Sequence, residues 1–107
     1  MLPCLLKQAL PEFAAELAEL LRAEHQFDLA SQVGSLCVVE RCRCGDPFCA
    51  TMYTAERPTG AYGPGHKNVV LGPAKGYLIL DVVDGQIKCV EVLYRDDVRE
   101  KLLDLLP

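Results

Sequence analysis

Cys42, Cys44 and Cys49 fall within the run Arg41-Cys-Arg-Cys-Gly-Asp-Pro-Phe-Cys49. Thiols at this density serve a metal site, a redox site or a nucleophile, because thiolate is both a soft ligand and a strong nucleophile. Gly45-Asp46-Pro47 is a turn signal between two runs of strand character, so the segment reads as a hairpin. A turn at Asp46-Pro47 sets Cys44 opposite Cys49 and Cys42 opposite Thr51. Side chains alternate with period 2 along a strand. Cys42, Cys44 and Cys49 therefore share a face with Tyr53, while Cys37 has the other parity.

Three convergent thiols supply three of the four ligands of tetrahedral zinc. His66 is the best candidate for the fourth, with His25, near the end of a helix, the weaker one. Two other readings stay open. Free cysteines also pack as small hydrophobes, and the thiols could instead do redox or nucleophilic work. A hydrolase with Cys49 as nucleophile and His66 as base would lack an orienting third group and a nucleophile elbow. Arg41 and Arg43 flank the thiols, and nearby positive charge favours thiolate. The Cys-x-Cys-x4-Cys spacing resembles the post-SET zinc knuckle of histone methyltransferases. The rest of that pattern is missing, and no function is carried over from it.

The second candidate segment is Gly60-Ala-Tyr-Gly-Pro-Gly-His66-Lys67, inside a stretch from 55 to 68 without period. Glycines let a backbone approach a ligand closely, and long loops in small domains are more often functional than connecting. Tyr53, Arg57, Tyr62, His66 and Lys67 are the candidate binding residues, with Arg57, His66 and Lys67 suited to an anion. The glycine spacing matches neither a dinucleotide fingerprint nor a phosphate loop.

The elements that must position these groups follow from periodicity. Phe13, Leu17, Leu20 and Leu21 make a helical stripe, and Pro11 suits its first turn. Phe27, Ala30 and Val33 predict a short second helix ending at Gly34. Residues 36–43 and 48–54 form the cysteine hairpin. Residues 76–83 and 86–94 form a second hairpin around Asp84-Gly85, the signature of a type I′ turn. That turn pairs Val83 with Gln86 and sets Asp81 opposite Lys88. It predicts Leu80, Val82, Ile87, Cys89 and Leu93 on one core face. Asp97 with Glu100 predicts a capping box for a last helix through Val98, Leu102, Leu105 and Leu106.

The 107 residues, half of them hydrophobic, suit a single domain spanning 1–107 with one modest core. The expected fold is α+β: N-terminal helices, an antiparallel sheet of about four strands built from two hairpins, and a C-terminal helix. No run approaches a membrane span, the N-terminus does not read as a signal peptide, and a cytoplasmic location with mostly reduced cysteines is expected. A net charge of −4 argues against general nucleic-acid binding. The pattern Cys-x-Cys-Gly-x2-Phe-Cys, Gly-Pro-Gly-His and Leu-Asp-Val-Val-Asp-Gly resembles a family of small bacterial proteins, which implies a shared fold and no activity. The expected function is a non-catalytic binding or regulatory protein, such as an immunity-type protein covering a toxin. Its expected partner is another protein or a second copy of itself. The alternative is a zinc- or thiol-dependent module using the cysteine hairpin and His66.

Overall fold

In the computed structural model, which describes residues 5–107, three helices and a 3-10 turn precede the sheet. Helix α1 (Leu6–Ala9) breaks at Leu10, whose extended φ of −136° suits a residue before proline. Pro11 then opens α2 (Pro11–Ala23). Its Phe13, Ala14, Leu17 and Leu21 are buried, and Leu20 packs at the margin of the core. Helix α3 (Phe27–Gln32) runs into a 3-10 turn at Val33–Ser35 that contains Gly34. Its buried side is Leu29 and Ala30, with Val33 following, and Phe27 is 58% exposed. The predicted stripe was thus displaced: Leu29, one place before Ala30, takes the core position that Phe27 was expected to fill.

Five antiparallel strands follow, in the order β1-β2-β5-β4-β3. They are β1 (Glu40–Arg41), β2 (Met52–Tyr53), β3 (His66–Leu71), β4 (Tyr77–Val83) and β5 (Gln86–Leu93). The fold is α+β as expected, with both hairpins present. The expected four strands become five because the run from His66 pairs with β4 over six residues. Asp84 and Gly85 both have positive φ, 50° and 80°, as a type I′ turn requires. The side chain of Gln32 holds this turn to the helical layer. Its amide donates to the Gly85 carbonyl at 2.7 Å, and its oxygen accepts from the Ile87 amide at 3.0 Å.

One expectation for this hairpin fails. The ladder pairs Val83 with Gln86 and Val82 with Ile87, but then Asp81 with Cys89, through a bulge between Asp81 and Val82. Lys88 is the extra residue, so it does not face Asp81. From there onward every β5 side chain changes face. Leu80, Val82 and Ile87 meet the helices, as expected, but their companions are Val90 and Val92. Cys89 and Leu93 go to the opposite face.

The helical layer covers one side of the sheet. Leu6, Leu10, Leu17, Leu21, Val98 and Leu102 bury against Met52, Leu78, Leu80, Val82, Val90 and Val92. Helix α4 (Asp96–Leu105) closes this layer, with Leu105 at its margin. The expected capping box does not form, because Asp97 binds Arg95 instead, at 3.1 Å. Arg95, itself 7% exposed, also makes a two-pronged ion pair with Glu16 at 2.7 and 2.8 Å, tying α2 to the start of α4. No helix among the described residues is long and apolar enough to cross a membrane.

Leu80 is fully buried at the centre of this layer. Leu80→Ala is expected to cost about 2–5 kcal/mol in urea denaturation, the usual cost of a core cavity. A cost below about 1 kcal/mol would contradict the assigned face.

Candidate functional site

The thiol trio forms as its spacing predicts. Pro47 occupies the second position of a turn closed by the Cys49 amide on the Asp46 carbonyl at 3.1 Å. The Cys42 amide donates to the Thr51 carbonyl at 2.9 Å, which fixes the register of the two arms. Cys49 is bridged in turn to Leu93 of β5. The three sulfur atoms lie within 4.8 Å of one another, unlinked by a disulfide. They can therefore hold a metal ion. Cys37 pairs with Leu5 instead and stands outside the group. Cys4 lies outside the described residues.

The trio is electrostatically unequal. Burial works to raise the Cys49 thiol, but hydrogen bonds from the Thr51 hydroxyl and amide, Cys44 and Cys42 outweigh it and hold Cys49 below the ordinary thiol value. Cys42 is pushed up to about 11, chiefly by burial, with the charge of Cys49 adding to it. Cys49 therefore ionises more readily than Cys42. Beside it lies a cavity of about 30 Å³, bounded by Asp46, Arg99 and Leu103 among others. Arg41 borders the cavity, with Nε donating to the Leu106 carbonyl at 2.5 Å and a guanidinium nitrogen to the Cys42 carbonyl at 3.5 Å, while Arg43 pairs with Glu40 and the Pro107 carbonyl.

His66 does not complete this group. It begins β3, at the far edge of the sheet. Strand spacing alone puts it about 14 Å from β2, three strand intervals away. Its Nε2 lies 2.8 Å from Asp81 Oδ1. The same separation takes it out of reach of Cys49 as a general base. His25 is also remote, at the end of α2 with φ of 58° and its ring edge-on to Phe27. The sequence could not show this, because it does not say on which edge the loop returns.

The candidate loop residues are partly gathered. Arg57 lies over the Tyr53 ring at 5.3 Å, and Tyr62 packs on His66 with ring centroids 5.0 Å apart. Lys67 has the opposite strand parity to His66 and does not join them. The three basic residues therefore do not converge on an anion. The neighbours of His66 are instead polar and acidic, beginning with the Asp81 carboxylate.

Those neighbours were not anticipated. The face of the sheet turned away from the helices carries Asp81, Asn68, Glu91 and Cys89, with Tyr62 over it. Asn68 Nδ2 and His66 Nε2 both reach Asp81 Oδ1 at 2.8 Å. Glu91 contacts Asp81 carboxyl to carboxyl, and Tyr62 contacts Cys89. Burial raises Glu91 to about 7, aided by the hydrogen bond it donates to Asp81 and by the charge of Asp81. Burial works to raise Asp81 too, but hydrogen bonds from Glu91, His66 and Asn68 outweigh it, and Asp81 stays below its ordinary value. Cys89, 2% exposed, is raised by burial and is no nucleophile. A signal for this cluster existed: Val90-Glu-Val92 alternates out of phase with Ile87, and such a phase break marks a bulge.

Comparison with protein-family models, curated proteins and solved structures returns no match. The site therefore stands on its geometry alone.

In ultraviolet titration of the metal-free reduced protein, one thiolate is expected to form below the ordinary thiol value. Cys49→Ser should abolish that step and Cys37→Ser should leave it. A step unaltered by Cys49→Ser would refute the assignment.

Proposed function

We propose that this protein is a non-catalytic metal-binding protein whose site is the Cys42/Cys44/Cys49 trio, with zinc as the ion. The observation that carries the reading is the approach of three sulfurs to within 4.8 Å from both arms of one hairpin. A tetrahedral zinc with Zn–S bonds of ~2.3 Å needs sulfurs ~3.8 Å apart, so closing onto the ion takes shifts of about 1 Å or less. Thiolate ligands favour zinc, Cu(I) and iron–sulfur clusters over magnesium or calcium. The trio leaves the fourth zinc position to water or to a donor from another molecule. Cys44 is exposed, which leaves that position approachable.

A second reading, a protein that covers a protein partner, is favoured by the aromatic strip next to the thiol turn. Phe48 stacks on Tyr94 at 5.1 Å, and Tyr77 meets Tyr94 edge-on at 5.8 Å. Tyr77 and Tyr94 are more than half exposed, and aromatic residues are enriched at the centres of protein interfaces.

The metal reading predicts one bound zinc per chain in reduced protein, with three sulfur scatterers at ~2.3 Å in X-ray absorption. At free zinc of about 100 times Kd, stability should rise by about 2.7 kcal/mol, and chelation should reverse it. Serine at Cys42, Cys44 or Cys49 should each weaken retention at least about tenfold. Cys37→Ser and His66→Ala should not. Reduced protein that takes up neither zinc nor Cu(I) would end the metal reading. Preference for Cu(I) over zinc in direct competition would change the ion.

A further inference from the structure

The acid cluster shares the open face with the thiols but is built to a different chemistry. A carboxyl pair this close cannot ionise twice without repulsion. Here Asp81 is the ionised member, because three groups already donate to it or share a proton with it: His66 and Asn68 at 2.8 Å, and Glu91. Asp81 is 7% exposed, so water does little to relieve a second charge.

The same groups hold the 54–65 loop. Tyr62 rests on His66 and reaches Cys89. The Gly65 carbonyl accepts from the Asp84 amide at 3.2 Å, and the His66 amide donates to the Gly63 carbonyl at 3.4 Å. Gly65 has φ of 83°, and any side chain there would strike the Asp84 carboxylate. The loop thus ends in a fixed backbone seat at the Asp84 turn, three residues along the same hairpin from Asp81.

We propose that Asp81, Glu91, His66 and Asn68 form a proton-binding site that latches the loop, through Tyr62, onto the open face when the acid pair holds one proton. Protonated Glu91 donates to Asp81, and the single negative charge is shared with His66 and Asn68. Loss of that proton sets two carboxylates against each other beneath Tyr62. The charge is relieved by admitting water, which lifts the loop and uncovers Tyr53 and Cys89. The groups on this face around the pair are His66 and Asn68 from β3, Cys89 from β5, Tyr53 from β2 with Cys49 just before it, and Tyr62 from the loop. Arg57 over Tyr53 is the nearby fixed cation, and Asp84 adds a further negative charge beside Gly65.

The sign follows from linkage. Glu91 is raised in the folded state, so its contribution is complete below its ordinary value of 4.5 and is lost as pH rises through about 7. Asp81 is lowered, so its contribution is present above its ordinary value of 3.8 and is lost as pH falls through its folded value. The latch is therefore closed in mildly acidic solution and opens as pH rises past neutrality.

The test is an NMR titration of the intact chain, reading the Glu91 carboxyl carbon and the exchange protection of the Asp84 and His66 amides, corrected for the intrinsic pH effect. Glu91 is expected to titrate near 7, well above its ordinary value of 4.5. Protection of both amides should fall at least about fivefold between pH ~5.5 and pH ~8. Glu91→Gln, which mimics the protonated acid, should keep the protection at both pH values. Titration of Glu91 in the ordinary range, pH-independent protection in the wild type, or an unchanged fall in Glu91→Gln would each overturn the proposal. If Glu91→Gln does not fold, the wild-type titration and protection decide alone. Both measurements are made on metal-free protein, so the latch can fail while the metal reading stands, and the reverse.

Discussion

The extra residue at Lys88 decides which side chains of the central strand are core and which are chemistry. Up to Ile87, β5 faces the helices in phase with Val82 of β4. Without the bulge, that phase would carry Glu91 into the apolar layer beside Leu78 and expel Val90 and Val92. A buried, unpaired carboxyl costs several kcal/mol, while each buried valine contributes about 1.5–3 kcal/mol. One unpaired backbone residue in the ladder is a small cost against that exchange. The bulge also sets Cys89 and Glu91 on the face where Tyr53, Asp81 and Cys49 already project.

That face then holds two separate chemistries, both bordering the central strand β5. At the β1-β2 edge, the short turn through Pro47 brings soft sulfur ligands together, and hydrogen bonds concentrate negative charge on Cys49. At the β3-β4 edge, oxygen and nitrogen groups surround Asp81, and the shared resource is a proton. Between them lie Tyr53 and Cys89, packed and unreactive. The helical layer reaches neither cluster's centre, although α4 borders the thiol cavity through Arg99 and Leu103.

Much of the local structure was legible in the chain. The Asp84-Gly85 turn, the thiol face and the stripe of α2 follow from one-dimensional rules: glycine tolerance of positive φ, period 2 and period 3.6. The cysteine hairpin was legible in parity, but its ladder is short, two residues on each arm, because turn and bend geometry takes over beyond Arg41 and before Met52. The capping box at Asp97 failed because a buried guanidinium two residues earlier is a stronger partner than a backbone amide. Phe27 failed as a core residue because the register of α3 was set by Leu29 and Ala30.

What the sequence determined by itself is the chemistry available and its local grouping. Three thiols on one hairpin face share their neighbourhood because only a few residues and one turn separate them, and no long-range contact can undo that. What only the tertiary structure decided is which distant groups meet. The return of the loop to the edge beside β4 gave His66 to Asp81 and withheld it from the thiols. The bulge delivered Glu91 to the same carboxylate. Both outcomes depend on strand order and on a one-residue slip, and these are chosen by the burial of Val90 and Val92 across the whole core. Pairing across a sheet is a property of the packed layers, and no short stretch of chain carries it.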